Sequence, residues 1–190
     1  SLFIAICATF LATTLGTLAS LALSRAYTPF RKTLMAIMIS PLIVPLIITA
    51  SGMFVFFAKF HLVATFTGMI IAHTVLGIPF VVITVTATLI SFDHNLTRAA
   101  SGLGGTPFYN FFKVQMPLIT PGVVSGALFA FITSFDEVVV VLFIGSQNQI
   151  TLPRQMWSGI RQEISPTILS VATILVILSI LLLTTVELLR

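Results

Sequence analysis

Not one of the first 24 residues carries a charge. As a helix such a stretch would reach about 36 Å, enough to cross a hydrocarbon core of about 30 Å. The same kind of apolar run returns at residues 33–58, 62–90, 119–144 and 166–187. Lipid offers no hydrogen bonds, so each run must satisfy its own backbone, and a helix does this within one segment. The expected fold is therefore all-α: a polytopic transmembrane helical bundle with five spans. Composition points the same way, with 57% hydrophobic and 7% charged residues against about 25% charged in a soluble domain. Too little polar surface exists to face water, so lipid must be the solvent for most of the chain.

The few charges sit at the ends of the runs and read as topology markers. Arg25, Arg31, Lys32, Arg98, Lys113 and Arg190 fall on one side, against Lys59, Arg154 and Arg161 on the other. The positive-inside tendency makes the first side cytoplasmic and the start of the chain external. The net charge of +4 thus marks orientation and not a nucleic-acid surface. The single Cys7 excludes an intrachain disulfide. The chain opens without Met in an apolar segment, so an N-terminus trimmed of at least one earlier helix is expected.

Within the spans, Ala5, Ala8, Ala12, Gly16 and Ala19 make a slender face that a neighbouring helix can approach closely. Pro41 and Pro45 should kink the second span. His73 in the third is either a hydrogen-bonded structural imidazole or a transport or gating group. Residues 145–165 are too polar to span. Leu152, Met156, Trp157, Ile160 and Ile164 share one side of a helix, which predicts an amphipathic segment on the outer surface with Trp157 at the lipid interface. Ser165 and Pro166 then read as cap and first residue of the last span.

Residues 91–121, SFDHNLTRAASGLGGTPFYNFFKVQMPLITP, form the longest turn-rich interruption. Asn95, Leu96 and Thr97 should cap a helix starting near Arg98, with Ala99 and Ala100 as strong helix formers. Gly102, Gly104 and Gly105 should break it. Thr106-Pro107 should start a second short helix with an apolar stripe of Phe108, Phe111, Phe112 and Met116, stopped by Pro117 and Pro121. Two helices and a rigid corner would suit a lever; spacing alone equally allows an ordinary interfacial loop with glycine turns.

In this loop Ala99, Ala100, Gly104, Val114 and Pro117 follow the spacing A-A-x3-G-x9-V-x-x-P. This resembles the cytoplasmic coupling loop of permease subunits of bacterial ABC importers, EAA-x3-G-x9-I-x-LP. The segments PLIVPLIITASGMFVFFAK (41–59), AHTVLGIPFVVITVTATL (72–89), PLITPGVVSGALFAFITSFDEVVVVLFI (117–144) and TLPRQMWSGIRQEISPTI (151–168) resemble the polyamine and opine-type branch of that family. The likeness covers essentially the whole chain. It implies the MetI-like type I fold, residues 1–190 as a single transmembrane domain, six spans in the complete subunit and both termini inside. It also implies partners: a second permease subunit, two cytoplasmic ATP-binding subunits and a periplasmic solute-binding protein, all at the bacterial inner membrane. Coupling would run through Ala99, Ala100, Gly104, Gly105, Phe108 and Pro117. Arg98 stands where the family has glutamate; it is mildly unfavourable at a helix N-terminus, or meets an acid on the ATPase. The outer segment 145–165 becomes either a docking surface for the binding protein or a plain interfacial anchor.

No GxxxxGK[ST] loop, HExxH, cysteine pair or metal-spaced cluster occurs, so neither an enzyme, a cofactor nor a metal is expected. The adjacent Asp136 and Glu137, inside an apolar run, are the clue to substrate. An acid at the membrane centre costs about 2.5 to 3.5 kcal/mol and needs a partner, protonation or water. Either at least one acid favours passage of cationic amines, or the two form an interhelical pair near an outer gate. A cation channel or a structural membrane scaffold remain the alternatives to an ATP-driven importer.

Overall fold

A computed structural model describes residues 1–24, 29–162 and 166–188. Arg25 and Arg190, counted among the inner charges, and Glu163, Ile164 and Ser165 lie outside the described residues, as do the side chains of Ile160 and Arg161. The described residues form helices joined by turns: α1 (Leu2–Ser24), α2 (Arg31–Ile43), α3 (Leu46–Lys59), α4 (Phe66–Ile90), α5 (His94–Gly102), α6 (Pro107–Asn110), α7 (Met116–Phe135), α8 (Val139–Ile144), α9 (Leu152–Gln162) and α10 (Pro166–Leu188). Among the described residues, α1, α4 and the continuous helix Pro107–Phe135 are long and apolar enough to cross a membrane. Leu169–Thr185 is a further apolar helical stretch.

The central element is α4. Its start is set by Thr65, whose Oγ1 accepts the Gly68 N–H at 3.0 Å. Its buried side chains face α1 on one flank and α7 on the other. Apolar helices gain no hydrophobic advantage from leaving lipid, so close van der Waals contact must hold them. Ala5, Ala8, Ala12 and Gly16 of α1 are all buried in this seam. A methyl group at Gly16 would stand 2.7 Å from Val81 Cβ, and one at Gly77 would stand 3.1 Å from both Ala12 Cβ and Ala130 Cβ. The three backbones therefore approach as only small residues allow. Phe3, Phe10 and Leu18 on the other side of α1, and Leu169, Ile174 and Ile180 on α10, are exposed to the surroundings, as lipid-facing residues should be.

Two expected spans are built differently. Residues 33–58 are not one kinked helix: α2 and α3 meet at a 105° bend. The two prolines act unequally. Pro41 sits inside α2, whereas Pro45 is the cap of α3 and Val44 before it is extended, at φ −73° and ψ 132°. A residue preceding proline is driven out of the helical region and the proline itself donates nothing, so the ladder ends there. The expected run 119–144 is also divided. The helix begins at Pro107, runs to Phe135, and stops at Asp136 before the short α8.

The prolines expected to stop the second loop helix do not. Phe111–Gln115 is a π-helical turn, and the Met116 N–H reaches back to the Phe111 carbonyl. This slip in register comes directly before Pro117, so the missing donor falls where the ladder is already changing step. The second arm of the loop is thereby welded to the α7 span without a joint.

Candidate functional site

The loop between α4 and α7 is a corner made of two capped helix ends. Asp93 Oδ1 accepts the Asn95 N–H at 2.9 Å, so α5 starts at His94 and not near Arg98. The N-terminal acid is Asp93, which also suits the helix dipole. Arg98 lies beyond the first turn of α5, exposed to solvent, and the dipole penalty expected for it does not apply. Ala99 is exposed beside it and Ala100 is half-buried.

At the other end of α5 the Gly104 N–H bonds to Ser101 O at 3.0 Å and the Gly105 N–H to Ala100 O at 2.9 Å. This crossed pair is a Schellman motif, and Gly104 holds its left-handed position at φ +88°. A methyl group at Gly105 would overlap Asn110 Oδ1 and lie 2.8 Å from Ala100 O, so each of these glycines is required for a different reason. Thr106 then caps α6, its Oγ1 accepting the Tyr109 N–H at 3.3 Å, with Pro107 in the first turn.

Asn110 locks the corner. It is 3% exposed and donates from Nδ2 to Ser101 Oγ at 2.8 Å and to Gly105 O at 3.3 Å. Ser101 Oγ in turn donates to Thr97 O at 3.0 Å. Around this core the outer surface is open: Leu103 is 91% and Phe108 78% exposed. Ala100, Leu103, Gly104, Gly105, Thr106 and Tyr109 line a groove of about 400 Å³. Phe108 stacks on Phe112 at 6.0 Å between ring centres. Pro117 lies apart, at the start of α7.

The acidic pair sits at the far end of α7, where the helix breaks. The two carboxylates are not equivalent positions on one helix. Asp136 ends α7 and is exposed. Glu137 is 7% exposed, and its Oε1 accepts the Val140 N–H of the first turn of α8 at 2.9 Å. Glu137 also lines a cavity of about 330 Å³ with Thr133, Phe80, Leu76 and the Val44–Pro45 break. Two helix interruptions thus converge on one carboxylate. Nearby, His73 is 1% exposed, with Nδ1 2.8 Å from Ser134 Oγ and 3.1 Å from Ser134 O. These bonds tie α4 to the last turn of α7.

The segment leading into α9 is tied back to the bundle. Gln149 Nε2 donates to Ala64 O at 3.2 Å, its Oε1 accepts the Ser146 N–H at 3.0 Å, and Arg154 Nη1 donates to Ser146 O at 2.7 Å. From this base α9 extends with Leu152 and Trp157 exposed.

Sequence reading missed Asp93, Ser101 and Asn110 in the corner, and Phe80 and Thr133 beside Glu137. Asp93 followed by a helical stretch was a legible cap signal. Asn110, a polar residue among aromatics, carried no such mark.

Residues 12–190 match the family model described as the binding-protein-dependent transport system inner membrane component. The putrescine transport system permease protein PotI of Escherichia coli K12 is 34% identical over 183 residues, covering 92% of this chain and 65% of the relative. The spermidine/putrescine transport system permease protein PotC is 30% identical over 179 residues in Haemophilus influenzae, covering 94% of this chain and 70% of that protein. Its Escherichia coli K12 counterpart is 31% identical over 179 residues, with 94% and 68% covered. The chain spans 65% of the length of the first of these relatives.

Proposed function

The chain belongs to the family of inner membrane components of binding-protein-dependent transport systems, a transport family and not an enzyme family, and we propose that it forms half of the pathway of an ATP-driven importer of polyamine-like cations. In this reading two ATP-binding subunits at the cytoplasmic face seat the α5–α6 corner, a second permease subunit completes the pathway, and a periplasmic binding protein delivers the solute. The supporting observation is the corner itself. Ala99, Ala100, Gly104 and Gly105 stand at the end of the bundle beside an open groove, and the arm carrying Phe108 runs unbroken into α7. Force applied at the corner would pass along one continuous helix to the break at Asp136, directly before Glu137. Pro117 acts in this reading by seating the π turn, and Arg98 by offering its exposed guanidinium to the docking partner.

The substrate class draws on the relatives, whose names specify putrescine and spermidine, and on Glu137 beside Thr133 and Phe80. A carboxylate, a hydroxyl and an aromatic face suit an ammonium group. Asp136, exposed at the same break, adds negative potential at the entrance. The test is uptake of labelled putrescine into proteoliposomes holding the chain with its partner permease, ATP-binding subunits and binding protein. ATP-dependent accumulation supports the proposal; uptake that needs neither ATP nor the binding protein contradicts it.

A further inference from the structure

Toward the loop end of the bundle, α4, α7 and α10 border a half-open cleft of about 680 Å³, separate from the cavity at Glu137 and with the Glu187 side chain exposed. Thr84 and Thr88 of α4, Ser125 and Phe129 of α7, and Glu187 of α10 line it, and no basic side chain does among the described residues. Thr84 Oγ1 donates to Phe80 O at 3.0 Å and Thr88 Oγ1 to Thr84 O at 3.0 Å. Both protons are taken by the helix backbone, so these hydroxyls offer the cleft only lone pairs. An ionised Glu187 is likewise acceptor-only, and the Phe129 ring adds a face of negative potential. Apart from the Ser125 hydroxyl, which can donate as well as accept, the polar wall offers only acceptors, and this suits a group rich in donors. An ammonium has three N–H donors and the charge opposite to Glu187, whereas a diol lacks that charge and an anion repeats its sign.

We infer that this cleft is a second, inner site for a protonated primary amine, with Glu187 as its counter-charge and Thr84 and Thr88 as acceptors. It deepens the amine-import reading and rests on that reading for its natural occupant; the preference for cations rests on the cleft alone. The experiment uses the assembled transporter in nanodiscs, in a Cys7→Ala background carrying Ser125→Cys, treated with small cationic or anionic thiol reagents. Relative to free cysteine, the cationic reagent should react faster by about ten-fold, as in a cleft lined by one sign of charge. The preference should vanish in Glu187→Gln. Putrescine should slow the modification, the diol of equal length should not, and protection should be lost in Glu187→Gln. Equal rates for the two reagents, a preference that survives Glu187→Gln, or equal protection by the diol would each overturn the site. Absent ATP-driven putrescine uptake with these rates intact would instead refute the import reading and leave the inner cation site standing.

Discussion

Asn110 Nδ2 donates to Ser101 Oγ across 2.8 Å, joining the second arm of the loop to the first. The Asn110 side chain is buried, and the bonding continues through the exposed Ser101 to the Thr97 carbonyl, so the corner is a braced angle and not a hinge. Asn110→Ala should leave Gly105 O and Ser101 Oγ, both within reach of solvent, without this donor, a loss of about 0.5–1.5 kcal/mol per bond. Ser101→Ala should do less harm, because the Asn110 amide keeps Gly105 O. Combined, the two changes should be less than additive, as expected for one network. Thermal unfolding of the purified complex and ATPase stimulation by the loaded binding protein measure both effects.

The three glycines of the corner should rank by geometry. Gly102 is helical with open space around it, so Gly102→Ala should be neutral or stabilising by up to about 1 kcal/mol. Gly104→Ala forces a side chain into the left-handed region and should cost about 1 kcal/mol. Gly105→Ala drives a methyl group into Asn110 and the Ala100 carbonyl and should cost more, about 1–3 kcal/mol. The melting temperatures of the three variants test the order.

Glu137→Gln keeps an oxygen for the Val140 N–H and removes the charge, while Glu137→Ala removes both. The first should lower putrescine uptake by about ten-fold, the scale of one lost charge contact at about 1.4 kcal/mol, with little change in stability. Glu137→Ala should lower uptake and melting temperature together. Asp136→Asn should affect uptake less than Glu137→Gln, since its exposed carboxylate is screened. Uptake kinetics beside melting curves separate charge from cap.

Gly16 and Gly52 offer a paired test of the seam. Gly16→Ala would press a methyl group 2.7 Å from Val81 Cβ, whereas Gly52→Ala meets nothing within 4 Å. The first should destabilise the bundle by about 1–3 kcal/mol and the second should be silent. Detergent unfolding of the two variants gives the comparison.

Much of this architecture is written in local patterns. The uncharged run of residues 1–24, the small face of Ala5, Ala8, Ala12 and Gly16, and a glycine at the left-handed end of α5 follow from lipid, packing and turn chemistry in turn. Other features depend on neighbours that local pattern does not reveal. Pro41 and Pro45 look alike in the sequence, yet one continues a helix and the other ends it. Pro117 looks like a stop, but the π turn before it absorbs the missing donor. Asp136 and Glu137 look like one acidic pair, and the break at the end of α7 exposes the first and buries the second. Asn110 is identifiable as a brace only once Ser101, nine positions earlier in the chain, is folded against it.

The central claim is that the α5–α6 corner receives force from an ATP-hydrolysing partner. Ala99→Cys, exposed on α5, in a Cys7→Ala background, tests it most directly by cross-linking in inside-out vesicles that contain the ATP-binding subunits. The account predicts a cross-link to an ATP-binding subunit whose yield changes between nucleotide-free and ATP-bound states. Failure to capture that subunit, or labelling of Ala99→Cys by an impermeant thiol reagent from the periplasmic side, would contradict it.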